Sequence, residues 1–139
     1  MKLPFYIIDA FADHPMQGNP AGVCPLETWL PIDVMQGIAS EVNLSETVFF
    51  VPSENASDGA QVNFDVRWFT PTREVDMIGH ATLAAGHLVL GKIFKSANLA
   101  TFNSATSIMR VRRVGERLEI EMPALIPQRL SKIEGLTDA

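Results

Sequence analysis

Cysteine is nearly absent from this 139-residue chain: Cys24 is the only one, so no intramolecular disulfide can form. Its neighbours Val23, Pro25 and Leu26 suit a small buried side chain rather than a reactive thiol. Long apolar runs are missing too. Polar residues interrupt each hydrophobic stretch well short of the roughly 20 residues that cross a bilayer. The N-terminus has no basic segment followed by an apolar region and a small-residue cleavage site, so a cytoplasmic protein without membrane contact is expected. Basic residues are scarce, 11 Lys and Arg against 16 Asp and Glu, and a formal charge of -5 argues against a nucleic-acid partner, which would call for a basic face. Arg110, Arg112 and Arg113 do cluster, but Glu116, Glu119 and Glu121 follow on what should be the paired strand, giving a solvated, self-compensating ribbon. There is no Gly-x-Gly-x-x-Gly, Walker loop or Gly-x-Ser-x-Gly, so nucleotide binding and serine hydrolysis have no support.

What is present describes one ordinary domain. Its length suffices to bury roughly two thirds of the unfolded surface without a metal or disulfide, and 47% hydrophobic with 19% charged residues is a globular composition. Leu3 to Phe11 reads as a buried strand, and Gly18-Asn19-Pro20 as a turn into a short strand over Ala21 to Cys24. Pro31 suits a helix start, and Ile32, Met35, Ile38, Ala39 and Val42 recur at helical spacing down to a stop at Asn43. Thr47 to Val51 reads as a buried strand and Pro52 to Gly59 as a polar loop. Val62, Phe64, Val66 and Trp68 alternate with Asn63, Asp65 and Arg67, the pattern of a sheet with one wet face. Strands near Ala100 to Asn103 and Ser107 to Arg113 follow, then a hairpin at Val114-Gly115 leads into Arg117 to Met122, with Leu118, Ile120 and Met122 facing the core.

The segment Gly79 to Leu90 is apolar almost all round and should be a helix enclosed by other elements, ended by Gly91 in the left-handed conformation. The fold class expected is α+β: a mostly antiparallel sheet curled around this central helix, with a second helix packed outside. Residues 1–123 should form one domain and 124–139 a linker-like tail, in which Leu130 to Leu136 is too short for a helix stable by itself.

Phe69-Thr70-Pro71-Thr72-Arg73-Glu74-Val75-Asp76-Met77-Ile78-Gly79-His80 is a turn-rich lead into that helix. The first amides of a helix lack internal partners and lie at the positive end of the macrodipole, so Gly79 and His80 could cradle a carboxylate. Glu46 stands just past the expected helix end and opens a strand, where a side chain can project into a cleft; an exposed capping or salt-bridging glutamate is the competing reading. His80 can donate to a carboxylate or stabilise an enolate, or be a structural histidine filling the turn. Asn19 and Ser45 are further candidates with equally plain turn and cap roles. His80 and His87 form a poor zinc set without a cysteine or carboxylate partner, and His14 lies in a loop. No metal and no cofactor are expected.

Gly18-Asn19-Pro20-Ala21-Gly22-Val23, Asn43-Leu44-Ser45-Glu46-Thr47-Val48-Phe49 and the Phe69 to Gly86 stretch, in this order, resemble the first half of the PhzF-like (phenazine biosynthesis-like) isomerases, whose fold is related to diaminopimelate epimerase. Tyr6-Ile7-Ile8-Asp9-Ala10-Phe11-Ala12 and Met122-Pro123 fit as well. The resemblance implies a half-barrel fold, with Glu46 as a proton shuttle that takes a proton from an activated carbon and returns it elsewhere on a small carboxylate-bearing substrate. Related epimerases and racemases use one cysteine from each half; here glutamate holds the first position, which removes a two-thiol racemase. The family's second half brings an aspartate before an Ala-Thr-Gly-Ser-like helix start, and no such segment occurs in this sequence. The missing wall can come from a second copy, from a separate second-half protein, or not at all. Association into a homodimer is the favoured expectation, because a bare half exposes apolar surface. The rival is a non-catalytic binding or assembly domain, or a truncated remnant of a two-domain isomerase.

Overall fold

The computed structural model describes residues 3–9, 20–53, 60–76, 79–115 and 117–121. Eight strands and two α-helices follow one another as β1 (Tyr6–Ile8), β2 (Ala21–Pro25), α1 (Ile32–Val42), β3 (Glu46–Pro52), β4 (Gln61–Phe69), β5 (Glu74–Val75), α2 (Gly79–Leu88), β6 (Leu99–Asn103), β7 (Ile108–Val114) and β8 (Arg117–Glu121). They form one sheet in the order β1-β2-β3-β4-β6-β7-β8, with β5 also on β4. Five pairings are antiparallel. The two parallel ones, β2 with β3 and β4 with β6, need crossovers, and α1 and α2 supply them.

The two crossovers bury opposite faces of the sheet. α2 packs with the inner cluster, including Ala21, Val48, Phe50, Val62, Phe64, Val66, Trp68, Phe102, Met109 and Val111, while Met35 and Ala39 of α1 pack with Cys24, Phe49, Val51 and Phe69 outside. β3 is thus covered on both faces, which accounts for the unbroken apolar run of Thr47 to Val51, whereas β4 shows the expected alternation. α2 touches β2, β3, β7 and β8, so the sheet curls around it. Phe50, Phe64 and Phe102 lock the inner layer, Phe50 meeting the other two edge-on at 5.0 and 5.6 Å between ring centres.

Several local expectations change. β1 is a three-residue edge strand, with Ile7 64% exposed, rather than a long buried strand, because it has a neighbour on one side only. In α1 only Met35 and Ala39 are fully buried, and Ile32 is exposed on the first turn. Asn43 ends that helix as expected, at φ 55° with its N–H donating to the Ala39 carbonyl at 3.1 Å. Gly91 does not end α2. The chain widens into a π-helical turn, Val89–Ile93, closed by the Phe94 N–H donating to the Val89 carbonyl at 2.6 Å. No left-handed glycine is needed, because the Arg113 guanidinium donates to the carbonyls of Leu90, at 2.5 Å, and Ala97, at 3.2 Å. Arg113 therefore leaves the compensating ribbon. Arg112 and Glu121 remain in it at 3.2 Å, as do Arg110 and Glu121 at 3.8 Å. Gly115 makes the hairpin at φ 62°. The 52–59 loop lies mostly, and Met122 and the 124–139 tail with its boundary wholly, outside the described residues.

The closest approach of helix to sheet is at Gly86, where an added Cβ would stand 2.5–2.6 Å from three side-chain atoms of Val111, one of them Cβ itself. No rotamer change clears a Cβ. Gly86→Ala is expected to lower unfolding free energy by about 1–3 kcal/mol, whereas Gly37→Ala, in open space on exposed α1, should raise it by about 0.5–1 kcal/mol; urea unfolding of both variants checks the pair.

Candidate active site

Glu46 is the first residue of β3, and its register fixes where it points. Ala21 of β2 lies beside it, and Ile8 of β1 beside Ala21. Since Val48 and Phe50 face the inner layer, so does Glu46, with the small Ala21 leaving space next to it. His80 arrives from the other direction. A tight turn after β4 is held by the Thr70 N–H donating to the Arg73 carbonyl at 2.8 Å and the Arg73 N–H donating to Thr70 Oγ1 at 3.2 Å. The Gln36 side-chain amide ties the turn to α1 by donating to the Thr70 carbonyl at 2.9 Å. β5 and the start of α2 follow.

These two routes meet. His80 Nε2 stands directly against Glu46 Oε1, and both contacting atoms are shielded from water; the side chains are only 17% and 18% exposed. Gly79 begins the helix half-buried beside them, and Ser45 precedes Glu46 on the exposed side. A carboxylate and an imidazole at the positive end of a helix, with water largely excluded, can exchange a proton with each other or with a bound ligand, and can hold an anion. Asn19 lies outside the described residues, as does His14. His87 is exposed one helix end away, and among the described residues no group of three or more His, Cys, Asp or Glu side chains is placed to hold a metal ion.

Two neighbours that spacing does not single out complete the surroundings. Trp68 Nε1 donates to Thr82 Oγ1 at 2.9 Å within the inner layer, two residues along α2 from His80. The available signal is that Thr82 is the one hydroxyl of α2, set among alanines and leucines. A surface cavity of about 560 Å³ on the outer side of β4, walled by Trp29, Asp65, Arg67 and Glu74, includes neither Glu46 nor His80. Arg67 there forks onto Glu74 through two 2.7 Å hydrogen bonds and lies over the Trp29 ring.

The curled α+β sheet around its buried helix is a PhzF/epimerase-like fold. It matches a predicted epimerase of Pseudomonas aeruginosa at a TM-score of 0.70 and 26% identity, over 87% of this chain and 42% of that one. A PhzF-family phenazine biosynthesis protein of Enterococcus faecalis matches at a TM-score of 0.74 and 44% identity, over 84% of this chain and 42% of that one. The sequence matches the family model described as phenazine biosynthesis-like protein over residues 8–131, and the chain belongs to that family. It is 42% identical to an uncharacterized isomerase of Pseudomonas aeruginosa, over 100% of this chain and 51% of the relative. A human phenazine biosynthesis-like domain-containing protein is 40% identical, over 98% and 48%. The chain thus spans about half the length of these relatives.

Cys24 has no part in the site. It faces the outer cluster, where burial pushes its thiol from 9.0 up to about 11. The native thiol is therefore expected to resist a thiol-specific disulfide reagent at neutral pH and to react only on unfolding. The raised value favours the neutral form in the fold. Its stabilising effect is thus complete below pH 9 and is lost as pH rises through about 11; Cys24→Ala should remove that part of the alkaline decline in melting temperature.

Proposed function

We propose that this chain is an isomerase-type domain that moves a proton between two carbons of a small carboxylate-bearing metabolite through Glu46. No metal or cofactor takes part, and the site is completed by a second subunit. The shielded contact between Glu46 Oε1 and His80 Nε2 carries this reading. In the forward step the Glu46 carboxylate takes a proton from a carbon next to an activating group, so the C–H bond breaks, an O–H bond forms, and the electron pair moves into the conjugated system. Glu46 then gives the proton to the far carbon of that system, or to the opposite face of the same carbon. Nothing is oxidised or reduced. His80 donates to the developing negative charge, and the Gly79 and His80 amides hold the substrate carboxylate at the helix start. Asn19 and Ser45 are secondary substrate contacts.

The second subunit follows from the same chemistry. A carboxyl accepts and returns a proton effectively near neutral pH only when desolvation raises its proton affinity, and an open half-site leaves one side to water. The relatives are about twice as long as this chain, and Tyr6, Ile7, Ile93 and Phe94 are exposed apolar side chains of the kind that partners cover. A two-fold homodimer would bring two Glu46–His80 pairs to one cleft.

Light scattering should find a dimer mass across a range of concentrations. In deuterium oxide, a panel of small carboxylates with an acidified C–H bond should include one that gains carbon-bound deuterium. Glu46→Gln is expected to slow that exchange about 10²–10⁴-fold while ligand binding persists. Unchanged exchange in Glu46→Gln would sink the proton-shuttle role and favour a non-catalytic binding domain. A monomer at all concentrations would overturn the two-copy site.

A further inference from the structure

A helix that is apolar on every side has no hydrophobic stripe to decide which way it faces. Burial is nearly as well satisfied after a shift of one residue, about 100° of rotation and about 1.5 Å of rise. α2 comes close to this: Ala81, Leu83, Ala84, Ala85, Gly86 and Leu88 are all buried, and between Ala81 and Leu88 His87 alone is exposed. Thr82 adds the one hydroxyl, fully shielded, and accepts a hydrogen bond from the indole of Trp68, itself 2% exposed. A buried indole N–H in this position has no water to turn to, so a helix displaced by one residue would strand it.

The bond joins the two arms of the candidate site. Trp68 pairs with Val48 across β3 and β4, and Val48 lies two residues along from Glu46 on the same face. Thr82 lies two residues along from His80 in the first turns of α2. At the other end of the helix, Gly86 against Val111 limits the approach to β7 but carries no directional bond. We infer that Trp68 and Thr82 are positioning residues, which fix the rotation and height of α2 and so hold His80 Nε2 against Glu46 Oε1. The functional meaning of that contact rests on the proton-transfer reading above; the positioning itself does not.

The imidazole nitrogen shifts of His80, in protein carrying ¹⁵N-histidine, report the contact without any turnover assay. The shift change caused by Glu46→Gln in the otherwise native chain is the reference. In Trp68→Phe and in Thr82→Val that change should fall to less than about half, Thr82→Ser should restore it, and combining Trp68→Phe with Thr82→Val should lose no more than either does. Should Trp68→Phe not fold, Thr82→Val carries the test, since it removes the acceptor within a side chain of the same shape. An undiminished reference change in folded Thr82→Val, however far its melting temperature drops, overturns the inference and leaves the bond as a stabilising contact only. Persistent deuterium exchange in Glu46→Gln would sink the isomerase reading without altering this result, and the two failures stay distinct.

Discussion

The enclosure of α2 is the constraint on which the rest of the fold depends. With only His87 of its later turns given to water, this helix must be covered on several sides, and the sheet meets that demand by curling, so that β2, β3, β7 and β8 all reach it. The curl is possible because the helix is thin: alanines and Gly86 let strands come close, to the point that Val111 occupies the space of a Cβ at Gly86. Enclosure also concentrates polarity. Most of the sides of α2 are committed to packing, and the end that carries the positive pole of the helix dipole is the one where His80 meets Glu46.

Much of this was legible beforehand, and the parts that were not share a cause. Period-2 alternation locates β4, the loss of helical spacing near Asn43 locates the end of α1, and Gly115 marks the hairpin, each because the deciding physics is local. β1 was misjudged as buried because burial of an apolar strand depends on how many neighbours it has in the sheet, which no property of Tyr6, Ile7 or Ile8 encodes. Gly91 was given a capping role that the distant Arg113 fills. Charge pattern gave no hint of this, since a guanidinium that pairs with a strand glutamate and one that caps a helix look alike in sequence.

For the site the balance is similar. Turn chemistry and the helix-start argument mark Gly79 and His80, and the strand opening after α1 marks Glu46, but their meeting is a property of register. It requires the parallel β2–β3 pairing and the crossover through α2 together, neither of which periodicity reveals. Trp68 and Thr82 stayed unnoticed because each, taken singly, is an unremarked core residue; only the 2.9 Å bond between them gives either a role.

The same geometry explains why half of a cleft is a coherent object. The pair is held by core contacts that belong wholly to this domain: β3 in the centre of the sheet, α2 within the curl, and the indole bond between them. All of these contacts lie within this chain. What the domain does not itself supply is full exclusion of water, since Glu46 and His80 keep an open side. Positioning is thus built into the fold, and on the proposed reading desolvation is left to a second subunit. Acid–base strength depends on desolvation, while geometry does not. On the proposed reading, the domain keeps Glu46 and His80 aligned by its own packing, and a second subunit that excluded the remaining water would add proton-transfer power.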